Sequence, residues 1–193
     1  MKTRKLWFGF IAVMTISFSV LGYYGREIYK QAPPIPSEVV TTDGTVLFSG
    51  QDIKDGQNVW QSIGGQEVGT VWGHGSYVAP DWSADWLHRE SVFILDYLAD
   101  TSWHKPYAAV TAEQKAMLKI RLQHELRTNS YDPASGKIVI SALRASAIKA
   151  VGEHYAGLFM ADPKLEKLRD AYAIPPNTIK DPDRMTKMNA FFF

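Results

Sequence analysis

The residues best suited to chemistry or contact are concentrated in one stretch, from Gly56 to Glu90. It contains four of the six tryptophans, two of the five histidines and a high density of glycine, which ordinary core packing does not require. Large aromatic rings supply contact area, and glycines let a backbone approach a partner closely. The stretch therefore predicts a tight, irregular loop between two helices, available for contact with a partner.

The histidines and carboxylates of this stretch offer one candidate metal site. His74 in the loop and His88 on the following helix could converge with Glu90 or Asp85 on an ion. No two histidines in the sequence have the helical spacing that metal sites commonly use. That absence favours the alternative, in which these histidines are surface or hydrogen-bonded structural residues.

Three carboxylates are the candidates for acid–base catalysis. A hydrolase would use Asp81, Asp85 and Glu90, but all three lie in one predicted helix rather than across a cleft. Asp81 has the position of a helix N-cap, and Asp85 favours the helix dipole from the first turn. The sequence has no nucleophile elbow, phosphate loop or dinucleotide fingerprint. From the residues alone, an anchored hydrolase is therefore the least favoured function, and no catalytic residue is assigned.

Composition excludes several classes of protein. The chain has no cysteine, so thiol nucleophiles, disulfides, zinc-thiolate sites and thioether-linked haem are all excluded. Residues 1–30 carry a net charge of +4 and the remainder carries −3, which together give +1. The body of the protein is therefore a poor binder of nucleic acid, and the positive charge belongs to the amino-terminal end.

The amino-terminal segment predicts a membrane anchor. Residues 6–25 include no charged side chain, and twenty residues are enough for a helix to cross a bilayer. Lys2, Arg4 and Lys5 precede the run, which places the amino terminus in the cytoplasm and the rest of the chain outside. A cleaved signal peptide is the alternative, but the run is long and no small-residue cleavage site follows it.

After the anchor, the pattern predicts a mainly helical domain with short β-hairpins. Hairpins are expected around Asp43-Gly44 and over residues 129–141. Capping signals and periodicity predict helices near residues 52–62, 81–99, 111–127, 141–160 and 162–172. The helix after Asp81 is expected to present one broad apolar face, formed by Trp82, Trp86, Leu87, Phe93, Ile94, Tyr97 and Leu98.

The last six residues predict the start of a second membrane helix. Residues 188–193, Met-Asn-Ala-Phe-Phe-Phe, have the composition of the first turn of a second membrane helix. The expected organisation is a cytoplasmic tip and membrane helix over residues 1–30, an extracytoplasmic domain over residues 31–187, and the truncated start of another helix. We therefore expect the chain to be a fragment.

Beyond these patterns, the chain resembles a known family along essentially its whole length. The run DIKDGQNVWQSIGGQEVGTVWGHGSYVAPDWSADWLHRE, from Asp52 to Glu90, resembles the amino-terminal region of quinol-dependent nitric oxide reductases. The segments TTDGTVLFSG, TNSYDP and NAFFF are similar to that family in the same order. The resemblance implies an amino-terminal anchor and a cytochrome-c-like exported domain, followed by a helical membrane domain that reduces nitric oxide to nitrous oxide.

A related group of reductases takes electrons from a cytochrome. Comparison with this group implies that the chain lacks a haem attachment motif. Their small subunit has a Gly-x-x-Val-Trp-Gln stretch, then Cys-x-x-Cys-His, then a Gly-x-Gly-Ala-Tyr-x-Ala-Pro turn. Laid over this sequence without a gap, the two cysteines and the histidine fall on Gly65, Val68 and Gly69. Both thioether anchors and the axial ligand are missing, so the resemblance implies a cytochrome-c-like fold that holds no haem. This fits an electron donor, a quinol, that arrives through the bilayer.

The same turn implies a calcium site shared with the rest of the enzyme. By resemblance, Gly75 and Tyr77 are two of its ligands, and the others come from the missing catalytic domain. The alternative is a purely structural turn. The resemblance further implies that the full enzyme belongs to the haem-copper oxidase superfamily, uses haem b, haem b3 and non-haem iron, and resides in the bacterial inner membrane with this domain on the periplasmic side.

These inferences leave two functions to compare. In the first, the chain anchors and docks on the catalytic membrane domain of the same polypeptide, is inactive alone, and has the lipid bilayer and quinol as its further partners. In the second, it is a stand-alone, membrane-anchored binding module whose tryptophans stack on a glycan or peptide. The second function requires Trp82 and Trp86 to be exposed, whereas docking or core packing would bury them.

Overall fold

The computed structural model describes residues 2–73, 76 and 78–193. The chain forms two compact units, Met1–Ile35 and Pro36–Phe193.

The first unit is a single long helix, α1 (Lys2–Gln31). Its segment Thr3–Gln31 is long and apolar enough to cross a membrane, in agreement with the uncharged run at residues 6–25. A helix of 30 residues spans about 45 Å, which exceeds the ~30 Å hydrocarbon core of a bilayer. The excess carries charge, and Glu27 and Lys30 form an ion pair of 3.0 Å there. A signal sequence has similar properties, so anchoring rather than cleavage stays a prediction.

The second unit is mainly helical, as expected, and includes a small sheet. Its helices are α2 (Gly50–Ser62), α3 (Trp82–Trp103), α4 (Ala112–Arg127), α5 (Ala142–Met160), α6 (Glu166–Ala171) and α7 (Pro182–Phe192). Its strands are β1 (Glu38–Thr41), β2 (Val46–Ser49), β3 (Tyr131–Asp132) and β4 (Lys137–Ile140). Short 3₁₀ turns lie at Gly65–Val68, Tyr107–Ala109 and Pro163–Leu165.

Polar caps determine where the main helices begin. Thr111 and Ser141 accept backbone hydrogen bonds at the starts of α4 and α5, so both predicted helices are confirmed with their bounds. Helix α2 begins earlier than predicted, because Ser49 and Asp52 form a reciprocal capping box. Helix α3 begins after Asp81 as predicted but continues to Trp103, beyond the expected end near residue 99.

The two predicted hairpins are parts of one sheet, a pairing that was not predicted from the sequence. The strand order is β2-β1-β4-β3, with antiparallel pairs at the edges and a parallel pair, β1 with β4, in the centre. The parallel register places Glu38 beside Lys137, and their side chains form an ion pair of 2.7 Å. Just before β1, the backbone N–H of Ser37 donates to the carbonyl of Gly136. The sheet therefore joins segments about one hundred residues apart in the chain.

The prediction for the apolar face of α3 is partly wrong. Trp82, Trp86 and Ile94 are buried, but Leu87 and Tyr97 are 51% and 50% exposed. The buried stripe repeats every four residues, at Trp82, Trp86, Glu90, Ile94 and Leu98, while the two exposed residues lie off it. A helix packed against a few neighbours buries a narrower band than its apolar composition indicates.

Helices α2 and α7 cross in direct backbone contact at Gly56. A Cβ atom at residue 56 would lie 2.0 Å from the carbonyl oxygen of Lys187 and 2.7 Å from the Cβ of Phe191. Only glycine fits such a crossing. Helix α7 begins at Pro182, six residues before the predicted apolar onset, because Asp181 caps it. That residues 188–193 begin a second membrane helix stays a prediction; here Met188 and Phe192 are 0% and 1% exposed.

The crossing at Gly56 yields a stability prediction. Gly56→Ala places a methyl group into the backbone of α7 and is expected to lower the free energy of unfolding by about 1–3 kcal/mol or more, as overpacking does. Denaturant unfolding of the chain in detergent, followed by tryptophan fluorescence, measures the change. Gln57→Ala is the matched control, since Gln57 is exposed on the same helix. Equal stability of the two variants would contradict the crossing geometry.

Candidate functional site

The glycine-rich segment begins where α2 ends and turns sharply. Gly64, Gly65 and Gly69 have φ values of 117°, 54° and 126°, in the region that favours glycine. Between them, residues Gly65–Val68 form a 3₁₀ turn. The turn returns the chain to α2, because the indole N–H of Trp60 donates to the carbonyl oxygen of Gly69 at 3.0 Å. Glycine content therefore produces a closed turn here rather than an open loop.

The positions that would carry a haem attachment motif lie in this turn. Gly65 is buried, and a Cβ atom there would lie 3.9 Å from the Trp60 ring. Val68 is partly buried and lies over Gly64. At Gly69, a Cβ atom would lie 2.2 Å from Nε1 of Trp82, so the indole already occupies the space that any side chain at this position needs.

This arrangement does not fit a covalently attached haem. Attachment requires two thiols and an axial ligand, whereas the sequence includes no cysteine. A histidine at position 69 would have to displace Trp82, which is completely buried. The residues present are therefore unsuited to holding haem c.

Asp81 connects the loop to the start of α3. Its Oδ1 accepts from the N–H of Ala84 at 2.9 Å, and its Oδ2 accepts from the hydroxyl of Thr70 at 3.1 Å and from the N–H of Gly73. Partial burial alone would raise the pKa of the Asp81 carboxyl, but the hydrogen bonds from Gly73, Ala84 and Thr70 outweigh burial and lower it. Asp81 is thus an ionised cap that holds the loop, as its predicted N-cap position indicated.

Behind the loop lies an aromatic triad, formed by Trp82, Trp86 and Tyr155. The Tyr155 ring stacks on Trp86 with centroids 5.5 Å apart and meets Trp82 edge-on at 5.8 Å. The three residues are 0%, 1% and 0% exposed. A glycan- or peptide-binding module requires Trp82 and Trp86 to be exposed, whereas both indoles are packed in the interior against Tyr155 of α5.

Asp85 links the triad to a polar cleft. Its Oδ2 accepts from the hydroxyl of Tyr155 and from Nε of Arg89, each at 2.7 Å. Burial and the hydrogen bond to Asp85 both raise the pKa of Tyr155 far above its ordinary value, so the phenol keeps its proton. Burial alone would lower the pKa of Arg89, but the contact with Asp85 raises it. The three groups form one network between α3 and α5.

The cleft has a volume of about 520 Å³ and is lined by residues of both helices. His88 and His154 face it together with Asp85 and Arg89. Burial lowers the pKa of His154, and the nearby Arg89 charge lowers it further, while Asp85 opposes both effects. His154 is therefore neutral near pH 7, and its Nε2 is buried without a hydrogen-bond partner among the described residues.

Glu90 has a separate, structural partner. It is 1% exposed, and its Oε1 accepts from Nε of Arg144 at 2.8 Å. The Arg144 guanidinium also lies 5.4 Å from the ring centroid of Phe193. The carboxylates proposed for a hydrolase are thus each engaged on one helix, Asp81 with the loop, Asp85 with Tyr155 and Glu90 with Arg144.

The predicted metal sites receive no support from the described residues. Among them, no group of three or more histidine, aspartate and glutamate side chains could hold an ion. His88 lines the cleft together with Asp85, whereas Glu90 is paired with Arg144. His74, Gly75 and Tyr77 lie outside the described residues, and calcium binding by Gly75 and Tyr77 therefore stays a prediction.

Tyr155 and Arg89 were not predicted from the sequence to be part of this site. The i, i+4 spacing of Asp85 and Arg89 was a usable signal for their ion pair. The contact of Tyr155 with Asp85 joins residues 70 positions apart, and nothing local indicates it.

Most of the chain matches a known protein family. The family model for the cytochrome c-like domain of the nitric oxide reductase protein NorB matches residues 36–193. A search of curated proteins found no match.

The geometry of Asp81 predicts a pH-dependent contribution to stability. Asp81→Ala is expected to cost about 1–2 kcal/mol near pH 7, as loss of a helix cap does. Because folding lowers the pKa of Asp81, its contribution is present above the unfolded-state value of 3.8 and is lost as the pH falls through the folded-state pKa. The free energies of unfolding of the wild-type and Asp81→Ala proteins are measured across this pH range, and the gap between them is expected to narrow in acid. Asp100→Ala, at an exposed site near the other end of α3, is the control; a constant gap for Asp81→Ala would refute the charged-cap model.

Proposed function

The chain belongs to the NorB family of nitric oxide reductases, matched through its cytochrome c-like domain, and we propose that it is the amino-terminal part of a quinol-dependent nitric oxide reductase. In this proposal the full enzyme reduces two molecules of nitric oxide to nitrous oxide. This part anchors the chain and docks on the catalytic membrane domain. It carries no catalytic residue and is inactive alone.

The observation that carries the proposal is the contact between Trp82 and Gly69. Members that receive electrons from a soluble cytochrome need a haem on the outside, and a covalently attached haem c needs thiols and an axial ligand. Here the sequence lacks cysteine, and the indole of Trp82 fills the space beside position 69. A domain without a haem cannot accept electrons from a cytochrome, so an electron donor that arrives through the bilayer, a quinol, is the consistent choice.

Docking through the glycine-rich loop is supported by two exposed apolar residues. Trp72 and Val78 lie in this loop and are 76% and 52% exposed. Trp72 also has a φ of 66°, a costly conformation for a bulky residue. Backbone strain of this kind is found at functional sites. In the proposal, Gly75 and Tyr77 of this loop supply calcium ligands at the same interface.

The proposal also assigns the chain a location and places the cofactors of the full enzyme. Helix α1 is the anchor in the bacterial inner membrane, with the cytochrome-c-like unit on the periplasmic side, as Lys2, Arg4 and Lys5 indicate. Haem b, haem b3 and non-haem iron belong to the catalytic domain that would follow residue 193. No observation favours the binding module as a second function, because its two tryptophans are buried.

The first test is the haem content of the purified chain. The chain, expressed in cells that carry a cytochrome c maturation system and purified in detergent, is expected to show no stoichiometric haem absorbance. A cytochrome c expressed in the same cells is the loading control. One haem per chain would overturn the haemless assignment.

The second test concerns the catalytic domain. Sequencing of the source DNA in frame beyond the Phe193 codon is expected to reveal a long series of apolar helices that carry several histidines, the ligands that haem b and iron require. A stop codon directly after Phe193 would refute the assignment to a single-chain reductase and leave a haemless anchored module.

A further inference from the structure

Helix α4 has two apolar stripes, and only one of them belongs to the core. Leu118, Leu122 and Leu126 face the interior, where Leu118 is 0% exposed and the other two pack against the same cluster. On the opposite side of the helix, Met117 and Ile120 are 53% and 68% exposed. Residues three apart share a helix face, so these two side chains lie together in solvent. Core packing therefore does not account for them.

The same solvent side of α4 carries positive charge. Arg121 and Arg127 are exposed, and Arg121 lies one helical turn from Met117 while Arg127 lies two turns from Ile120. Within the described ranges, neither arginine forms an ion pair with an acidic side chain. We call Met117, Ile120, Arg121 and Arg127 the outer face of α4. It combines apolar side chains with positive charge that the fold does not neutralise.

This positive charge is segregated from the rest of the second unit. Residues 115–127 carry a net charge of +3, whereas the other residues from 31 to 193 carry −6. The one acidic side chain in the segment, Glu125, turns inward and accepts a hydrogen bond from the hydroxyl of Ser141. A basic helix on an otherwise acidic unit indicates a partner with negative charge.

The combination of charge and apolar side chains favours one class of partner, an anionic phospholipid surface. Phosphate headgroups pair with arginine, and the acyl boundary just below them accepts apolar side chains from an amphipathic helix. Basic residues beside such a surface are attracted by its negative potential. A partner that is only acidic would use the arginines but would leave Met117 and Ile120 in water.

We propose that the outer face of α4 docks on the anionic phospholipid surface of the membrane, with Met117 and Ile120 inserted between headgroups and Arg121 and Arg127 on phosphate. The inference rests on the proposed function, in which α1 is a membrane anchor. Six residues, 32–37, separate the end of α1 from the start of β1 and span at most about 20 Å. The anchor therefore keeps the second unit within reach of the bilayer, so even weak docking is favoured.

The absence of cysteine allows the docking to be measured at single positions. Ala116→Cys introduces one thiol at an exposed site one turn before Ile120, to which the fluorophore nitrobenzoxadiazole is attached. The labelled full chain is reconstituted into vesicles of phosphatidylcholine, alone or mixed with phosphatidylglycerol, that include a doxyl-labelled lipid as a contact quencher. We expect a blue shift and strong quenching in the mixed vesicles only. Gln57→Cys, exposed on α2, is the matched label position and should stay unquenched in both.

Paired substitutions separate the charged part of the outer face from the apolar part. Arg121→Gln combined with Arg127→Gln is expected to reduce quenching to the level in phosphatidylcholine alone, because each basic residue beside an anionic surface strengthens binding about fivefold. Lys164→Gln combined with Lys167→Gln removes the same charge from exposed positions elsewhere and should leave quenching unchanged.

The apolar pair has its own variant, Met117→Ser combined with Ile120→Ser, which is expected to lose the blue shift. Near-ultraviolet circular dichroism verifies that each variant is folded. One measurement needs no substitution in the outer face: high salt should abolish the quenching that phosphatidylglycerol adds, since salt screens charges at a surface.

The outcomes separate this inference from the proposed function. Flotation of the vesicles first shows whether the chain is anchored, and a chain that does not float contradicts the anchor itself. An anchored chain that is unquenched at position 116, or equally quenched at positions 116 and 57, would overturn only the docking of α4. A blue shift without quenching would assign the outer face to a protein partner and would overturn it as well.

Discussion

The contact between the Trp82 indole and the backbone of Gly69 is the constraint on which the second unit depends. It requires glycine at position 69, because a Cβ atom there would lie 2.2 Å from the ring. The same indole contacts Tyr155 and Phe159 of α5, Tyr172 after α6 and Phe192 of α7. One ring therefore joins the turn after α2 to three later parts of the chain. A domain of this size needs such a side chain to fill its interior at the density of a close-packed core.

Charged groups in this interior are stabilised locally and in pairs. Glu90 and Asp85 lie on neighbouring turns of α3, and each meets an arginine, Arg144 and Arg89, at 2.8 and 2.7 Å. Burying a carboxylate without a partner is strongly unfavourable. Helix α3 can therefore pack against α5 only because the two arginines pair with these carboxylates. The two pairs differ in their exposure. Glu90 is 1% exposed, whereas Asp85 lines the cleft between α3 and α5.

The structural features predicted correctly from the sequence are those that depend on neighbouring residues. Thr111 with Gln114 and Ser141 gave the starts of α4 and α5, since a cap is a matter of a few neighbouring residues. The positions of Gly65, Val68 and Gly69 were also accessible, because the resemblance aligned them without a gap. The joining of the two hairpins and the link from Asp85 to Tyr155 were not, since partners 70 to 100 residues apart leave no local pattern. The burial of Trp82 and Trp86 likewise depends on distant parts of the chain, above all on α5.

The parallel pairing of β1 with β4 also has a consequence for how the protein is made. Glu38 leaves the ribosome about one hundred residues before its partner Lys137, roughly 5–20 s earlier at typical rates of translation. During that interval β1 can pair only with β2, and its other edge is open to any strand nearby. Pairings of such high contact order form late, after local helices. The vulnerable species in biosynthesis is therefore a half-made sheet, whose edge stays open until residue 140 is available.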